Sequence, residues 1–243
     1  MKTKPRSTLQ IIEEQVRRWQ VAGREEPRKV ANVPVITVSR EPGSGGKLIA
    51  LGLAARLDLE LFHQEIIHAV AKSAQVSARF LETLDEKGLS ILDEWISSLV
   101  QERHLWPDAY LQHLMKIIGT IGAHGKAVIL GRGANFVLAP DRRFSVRVVS
   151  PLDVRVRRVS RDFTVSLEQA RRRITRTESE RRAFVRKYFN ADISNPLNYD
   201  IILNTGMLSI DACQDAIISA LDRRFGPGLP LAPASTPSTA TAT

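Results

Sequence analysis

The sequence lacks the features that mark secreted, membrane-spanning and disulfide-stabilised proteins. Its 243 residues include a single cysteine, Cys213, which cannot form a disulfide within the chain and is typical of a reducing compartment. No run of about 18 apolar residues occurs, and the charged start M-K-T-K-P-R is not followed by the apolar core of a signal peptide. We therefore expect a cytoplasmic protein with no membrane partner.

Aromatic residues are scarce, and the histidines follow no metal-binding pattern. Phe, Trp and Tyr make up 6% of the chain and are not interleaved with basic side chains as on an RNA-binding surface. No histidine is spaced from cysteine or carboxylates as in a zinc site, and the G-x-S-x-G nucleophile motif is missing. We therefore predict no protein-bound metal site and no serine nucleophile of that type.

Positive charge is concentrated in one part of the chain. The protein has 35 basic and 26 acidic side chains, a net charge of +9. The segment from Asp141 to Lys187 holds 15 basic and six acidic residues, and this surplus of nine equals the net charge of the whole chain. Such local basicity favours a phosphate-rich ligand, whereas a protein that coats nucleic acid is more often basic along a whole face.

Short apolar runs rich in β-branched residues alternate with segments of helical periodicity. The runs begin at Val33, Leu59, Ala127, Phe144 and Tyr199. This alternation predicts an α/β domain over residues 31–225, with a five-stranded, largely parallel sheet flanked by helices. Residues 63–124 contain several helical segments and no convincing strand, so we expect them to form an excursion over the sheet.

The two ends of the chain differ from this domain. Residues 1–30 are predicted to form an amphipathic helix and a linker, with Leu9, Ile12, Val16 and Trp19 on one stripe. That helix either caps the domain or joins two copies of the chain in a homo-oligomer. Residues 226–243 contain mainly Pro, Ser, Thr, Ala and Gly, a composition that predicts disorder.

Two helix starts are marked by capping signals. Ser150 is a predicted N-cap, with Pro151 at the first helical position. Ser166 and Gln169 have the spacing of a capping box and open an arginine-dense helix that runs towards Tyr188. Side chains three or four apart share one side of a helix, which selects four arginines as phosphate-binding candidates. These are Arg158, Arg161, Arg173 and Arg181.

Residues 36–47 read I-T-V-S-R-E-P-G-S-G-G-K, an apolar run that ends in a glycine-rich loop and a lysine. A loop of this kind before a helix can bind phosphate through its backbone N–H groups, or it can be a tight turn that happens to carry a lysine. The pattern departs from G-x-x-x-x-G-K-[ST], because Glu41 replaces the first glycine and Leu48 replaces the hydroxyl that binds magnesium. The predicted phosphate-binding residues are Gly43, Ser44, Gly45, Gly46, Lys47 and Leu48.

Four segments together carry a family resemblance. They are S-R-E-P-G-S-G-G-K from Ser39, V-I-L-G-R-G-A-N from Val128, T-E-S-E-R-R-A-F-V-R-K-Y-F from Thr177 and Y-D-I-I-L-N-T-G from Tyr199. With them the chain resembles the cytidylate kinase-like family, a divergent branch of the P-loop nucleoside monophosphate kinases. The resemblance implies a P-loop NTPase fold, with a monophosphate-binding excursion over residues 63–124 and an arginine-rich lid over residues 154–190. It also implies ATP and Mg²⁺ as cofactors and a nucleoside monophosphate as acceptor, preferably CMP or dCMP.

The resemblance further implies roles for single residues. Lys47 would contact the donor phosphates, and Asn204 and Thr205 would lie near the adenine. Glu178 and Arg181, three residues apart, would serve the lid and the acceptor site. Arg132, between two glycines after a predicted strand, would hold the acceptor phosphate, although an arginine in that place can instead form a structural ion pair.

Two other functions remain open at this point. Glu41, Leu48 and Gln64 depart from the family's pattern, and they favour a nucleotide-binding regulatory or sensor protein with weak or no transfer activity. Nucleic-acid binding through the basic segment is the weakest hypothesis.

Overall fold

The five predicted strands form one parallel sheet in the computed structural model, which describes residues 8–22 and 34–226. The strands are β1 (Val35–Arg40), β2 (Glu60–His63), β3 (Ala127–Leu130), β4 (Arg143–Val149) and β5 (Ile201–Asn204). Their order in the sheet is β2-β3-β1-β4-β5, and each neighbouring pair is parallel. This order places β1, which leads into the glycine loop, at the centre of the sheet.

Helices connect the strands, as parallel pairing requires. The described helices are α1 (Thr8–Ala22), α2 (Gly46–Arg56), α3 (Gln64–Lys72), α4 (Ala74–Leu81), α5 (Glu86–Glu102), α6 (Ala109–His124), α7 (Ala134–Val137), α8 (Leu152–Phe163), α9 (Leu167–Phe189) and α10 (Ile210–Phe225). Four of them, α3 to α6, lie between β2 and β3 and form the predicted helical excursion. None of the described helices is long and apolar enough to cross a membrane.

The core is divided by the sheet. Side chains alternate between the two faces of a strand, so neighbouring residues of β1 enter different apolar clusters. Val35 packs in a cluster with residues of α3, α6 and α9, whereas Ile36 and Val38 pack in a second cluster with α2 and α10. Both faces of the sheet are therefore covered, which explains why its strands read as continuous apolar runs.

Helix α1 caps the helical excursion of its own chain. Ile12 and Val16 are buried in the cluster that contains α3 and α6. Trp19 stacks on His124 with ring centroids 4.1 Å apart and an interplanar angle of 9°, and its edge meets Phe80. The described part of the predicted apolar stripe is thus used within the chain, and the side chain of Leu9 lies outside the described residues.

One predicted helix cap is wrong and another is confirmed. The N-cap of α8 is Pro151 and its first helical residue is Leu152, so Ser150 precedes the helix. The backbone N–H of Ser150 donates to the carboxylate of Glu41 at 3.0 Å. The capping box of Ser166 and Gln169 is present at the start of α9.

The predictions for the linker and the tail concern regions mostly outside the described residues. Residues 1–7, 23–33 and 227–243 are not described. The last described helix, α10, ends at Phe225 and is followed by Gly226 with φ 87°.

Candidate active site

The glycine loop joins β1 to α2 at the carboxyl end of the sheet. Gly43 and Gly45 have φ of 78° and 79°, values that L side chains rarely adopt. Gly46 is the first residue of α2, and a Cβ built on it would lie 2.5 Å from the Cβ of Arg40. The loop therefore requires glycine at these positions, and the unpaired N–H groups of a helix start lie beside it, which is the arrangement that binds phosphate.

The side chains of the loop divide into exposed and structural ones. Lys47 and Leu48 are exposed at the start of α2, so Lys47 is free to reach a ligand. Ser44 is fully buried and its hydroxyl donates to the carbonyl of Glu41 at 2.9 Å. Lys47 also lowers the pKa of His63, after the larger effect of burial, which places its charge near the end of β2. Leu48 offers no oxygen to a metal ion.

Arg158 and Thr205 stand against the loop. The two Nη atoms of Arg158 donate to the hydroxyl and the carbonyl of Thr205 at 2.9 and 2.8 Å. The hydroxyl of Thr205 donates in turn to the carbonyl of Ser44 at 2.6 Å. Thr205 is thus a buried link between β5 and the loop, while Asn204 is exposed and accepts a hydrogen bond from the backbone of Gly206 at 2.9 Å.

A cavity of about 200 Å³ opens beside the loop and contains three guanidinium groups. Arg40 ends β1, Arg132 follows β3, and Arg181 enters from α9 above the sheet. The remaining polar lining includes Gln64, which accepts a hydrogen bond from Arg40 at 3.0 Å, and Glu180, whose carboxylate pairs with Arg176. Among the described residues, none of these three arginines forms an ion pair with a carboxylate.

Mutual repulsion and burial act on these charges. Burial, and then the neighbouring charges of Arg181 and Arg132, lower the pKa of Arg40 to about 9. Burial and the charge of Arg147 likewise lower the pKa of Arg181. Glu65 acts in the opposite direction on Arg40, as do Glu178 and Glu180 on Arg181, but the pKa of each of these two arginines is still lowered. Like charges held together in this way favour the entry of an anion. The cavity is therefore an anion-binding site by its electrostatics.

Arg132 is held in an unusual backbone conformation. Gly131, Arg132 and Gly133 have φ of 86°, 55° and 68°, so three successive residues are left-handed. Strain of this kind at a non-glycine residue is most often found at functional sites. The guanidinium lies 5.4 Å from the centre of the Phe184 ring, and its Nε is buried without a hydrogen-bond partner in the described part of the chain.

The flanking glycines make room for side chains. A Cβ on Gly131 would lie 2.2 Å from Nη1 of Arg40, and one on Gly133 would lie 2.1 Å from the ring of Phe189. Gly131 therefore makes room for Arg40 beside Arg132, and Gly133 makes room for the ring of Phe189.

A second, more open groove of about 510 Å³ adjoins this cavity. It lies between α3, α6 and α9, and Arg132 and Phe184 line both spaces. Tyr110 and Tyr188 form an aromatic wall with ring centroids 5.8 Å apart. His68 bonds to the hydroxyl of Tyr110 at 3.0 Å through Nδ1. The two spaces together form an anion site continued by an aromatic surface.

The structure does not bring all predicted site residues to this place. Arg161 is exposed and pairs with Asp162, and Arg173 lies over the Phe163 ring, 3.8 Å from its centre. Both lie on the outer side of the α8–α9 pair. The carboxylate of Glu178 does not line the cavity, because it forms an ion pair with Arg155 at 2.5 Å.

Comparison with known proteins places the chain in a family. The model of the cytidylate kinase-like family matches residues 35–207, well over half of the sequence. The chain belongs to the cytidylate kinase-like family. The match covers the whole described sheet, the glycine loop, the excursion and the arginine-rich helices.

Relatives of this cytidylate kinase-like chain are distant in sequence but similar in extent. A cytidylate kinase from Ignicoccus hospitalis is 24% identical over 183 residues, covering 75% of this chain and 96% of that protein. A cytidylate kinase from Methanosarcina barkeri is 28% identical over 196 residues, covering 79% and 98%. A crystal structure from Eubacterium ventriosum, an uncharacterised protein, aligns with a TM-score of 0.59 and 21% identity over 78% of this chain and 98% of that one. The fold of the chain is the P-loop NTPase fold, as predicted.

Sequence reasoning missed Arg40, which lines the cavity of this family member, and Arg147, which lies beside it. Arg40 lies in the quoted segment S-R-E, and its position at the end of a strand that leads into the loop is the signal that could have identified it. Arg147 interrupts the apolar run of β4, is buried, and donates to the hydroxyl of Ser39 at 2.8 Å. A lone charge inside a buried strand is a comparable signal.

Proposed function

We propose that this protein transfers the γ-phosphoryl group of ATP to a nucleoside monophosphate, with CMP or dCMP as the preferred acceptor. One observation carries the proposal: Arg40, Arg132 and Arg181 line a single cavity beside the glycine loop, and among the described residues none of the three forms an ion pair with a carboxylate. Phosphoryl transfer between two nucleotides requires a binding site for the acceptor phosphate next to the site for the donor phosphates.

The donor would bind along the loop. The N-terminus of α2 and the backbone of the loop suit the β- and γ-phosphates, and exposed Lys47 can reach them. Arg158, fixed by Thr205, adds a cation at the same place. The described residues contain no group of three or more His, Cys, Asp or Glu side chains placed to hold a metal ion, so Mg²⁺ would arrive bound to ATP, held by phosphate and water.

The acceptor would span the two spaces. Its phosphate would bind the three arginines, and its nucleoside would lie along the groove, where Tyr110 and Tyr188 offer aromatic surface. The preference for CMP is supported by the names of the relatives from Ignicoccus hospitalis and Methanosarcina barkeri.

In this arrangement the protein supplies position and charge. An oxygen of the acceptor phosphate attacks the γ-phosphorus of ATP, the bond to the β–γ bridging oxygen breaks, and ADP leaves with that oxygen. No covalent intermediate with the protein is needed. Arg132 and Arg181 neutralise the charge that is shared between the two nucleotides during transfer, which is where preorganised cations contribute most.

The test is release of ADP from ATP and Mg²⁺ in the presence of CMP, dCMP, UMP, AMP or GMP, with a reaction lacking acceptor as the control. We expect turnover with CMP or dCMP that exceeds turnover without acceptor. Replacement of Arg132 by alanine should reduce kcat/KM for the monophosphate by at least about tenfold and change ATP affinity little, because the contact is made with the acceptor.

A second candidate function is nucleotide sensing by the same fold. Leu48, which offers no hydroxyl at the start of α2, favours it because magnesium is then held with less help from the loop. A wild-type protein that binds ATP and Mg²⁺ but phosphorylates none of the five monophosphates would support the sensor.

The cytoplasmic location and a homo-oligomer through α1 stay predictions, although the apolar stripe of α1 already packs within its own chain.

A further inference from the structure

Arg155 connects the start of the glycine loop to the lid helix α9. It lies in α8 and is 6% exposed. Its Nε lies 3.3 Å from the carboxylate of Glu41 and donates to the carbonyl of Ser150 at 2.8 Å. Its Nη1 donates to the carboxylate of Glu178 in α9 at 2.5 Å. One buried guanidinium is therefore shared by two carboxylates from different elements.

A second contact ties α9 to the same place. Nη1 of Arg181 donates to the backbone carbonyl of Arg40 at 2.7 Å. Glu178 and Arg181 are three residues apart in a helix and so share one side of it. Arg181 of α9 thus contacts residue 40 directly, and Glu178 reaches residue 41 through Arg155; residues 40 and 41 lead directly into the loop.

The loop itself packs against α8. A Cβ on Gly43 would lie 2.9 Å from the carbonyl oxygen of Arg155 and 2.9 Å from Val159. Backbone in such close contact cannot shift without moving its neighbour. The loop, α8 and α9 are therefore mechanically connected around Arg155.

The ion pair between Arg155 and Glu178 also leaves the charge of Arg181 available to a ligand in the cavity. Glu178 is the acidic residue one turn before Arg181, and it is engaged by Arg155. Arg181 accordingly donates to a backbone carbonyl, lines the cavity and forms no ion pair within the described part of the chain.

We propose that Arg155, with Glu41 and Glu178, is a positioning group that holds α9 against the phosphate-binding loop and so places Arg181 in the acceptor cavity. This inference rests on the proposed function for its kinetic consequence. Glu41 stands at the position of the first glycine of the P-loop pattern. In this proposal Glu41 holds Arg155 and does not contact the donor phosphates.

The first test measures the position of α9 without any ligand. Glu178→Gln keeps the shape of the side chain and removes its charge, which leaves Arg155 with one carboxylate. Backbone amide exchange around residues 178–185 should be about tenfold faster than in the wild type, with amides of α10 unchanged. Glu168→Gln is the matched control in the same helix, because Glu168 forms an exposed pair with Arg172.

The second test is kinetic and includes a double substitution. Glu178→Gln should lower kcat/KM for CMP by about tenfold with the KM for ATP within about twofold, since only the placement of Arg181 changes. Glu41→Gln should show the same effect. Because both act through Arg155, the double variant should lose much less than the product of the two single losses.

The outcomes separate this inference from the proposed function. If Glu178→Gln has the exchange rates of Glu168→Gln, or if the two Gln substitutions are fully additive in kcat/KM, the positioning role is overturned. Absence of transfer in the wild type would instead overturn the proposed function, and the exchange measurement would still decide the positioning role. Should Glu178→Gln not fold, exchange in Glu41→Gln, whose carboxylate is partly exposed, decides in the same way.

Discussion

At the scale of single residues, the charge of Arg40 suits the binding of an anion but destabilises the folded protein. Burial and two neighbouring guanidiniums disfavour its charged form, as the lowered pKa of about 9 indicates. An anion in the cavity would oppose that effect, because it adds to the negative charge of Glu65, which does not offset it alone. The strained backbone of Arg132 fits the same interpretation, since strained residues concentrate at functional sites.

Replacement of Arg40 by methionine should therefore separate stability from binding. We expect the melting temperature at pH 7.5 to rise or stay unchanged, because a repelled charge is removed. The KM for the monophosphate should increase by about tenfold, because one phosphate contact is lost. Calorimetry and steady-state kinetics measure the two effects, and the exposed Arg171→Met in α9 is the control. A large fall in melting temperature with unchanged KM would show that Arg40 is structural.

Lys47 tests the donor side of the site. Lys47→Ala should weaken ATP binding or abolish turnover and leave the melting temperature nearly unchanged, because an exposed lysine contributes little to folding. Titration calorimetry with ATP and the ADP-release assay measure these effects, with the exposed Lys87→Ala as the control. Wild-type ATP affinity and activity in the Lys47 variant would contradict a phosphate-binding loop.

At the scale of elements, α1 is held to the excursion partly through a buried histidine. Burial lowers the pKa of His124 to about 4, and the ring stacks on Trp19 and bonds to the hydroxyl of Thr83 at 2.8 Å. The folded protein therefore favours the neutral ring. Between about pH 6.5 and pH 4 the unfolded chain binds more protons at this position, so stability falls as pH falls through that window and is unaffected above it.

The direction of this pH dependence of stability leads to a prediction for His124→Phe. The variant keeps an aromatic ring on Trp19 but cannot be protonated, so the fall in melting temperature from pH 7.5 to pH 4.5 should be smaller than in the wild type. Thermal unfolding at the two pH values measures it, and His104→Asn at an exposed position serves as control. An equal pH dependence in wild type and His124→Phe would contradict the role given to His124.

The elements themselves were largely predictable, because their signals are local. Strands that are buried on both faces appear in the sequence as apolar runs, and the capping box at Ser166 involves only residues 166–169. The predicted cap at Ser150 was one residue too early, and the backbone N–H of Ser150 has a nonlocal partner, Glu41, which lies more than a hundred residues away in sequence. The pairing of Glu178 with Arg155 likewise depends on how α8 and α9 pack, which spacing alone does not reveal.

At the scale of the whole molecule, the fold gives the basic residues of the segment from Asp141 to Lys187 different surroundings, whereas the sequence shows only their total charge. Outward arginines of α8 and α9 pair with carboxylates, as Arg172 does with Glu168 and Arg176 with Glu180. Inward ones bind groups nearer the sheet: Arg147 of β4 donates to Ser39, and Arg155 of α8 binds Glu41, Glu178 and the carbonyl of Ser150. The sequence therefore predicted a phosphate-binding region that includes Arg132 and Arg181, but the addition of Arg40 required the strand order that brings β1 and β3 together beneath α9.

The central claim is that the molecule passes a phosphoryl group between two nucleotides. Its most direct test follows a label: wild-type protein is incubated with Mg²⁺, CMP and ATP labelled at the γ-phosphorus, and the products are separated by chromatography. The account predicts that the label appears in CDP in step with formation of ADP, and that Arg132→Ala slows its appearance by at least about tenfold. Label that stays in ATP, or appears only in inorganic phosphate, would contradict it.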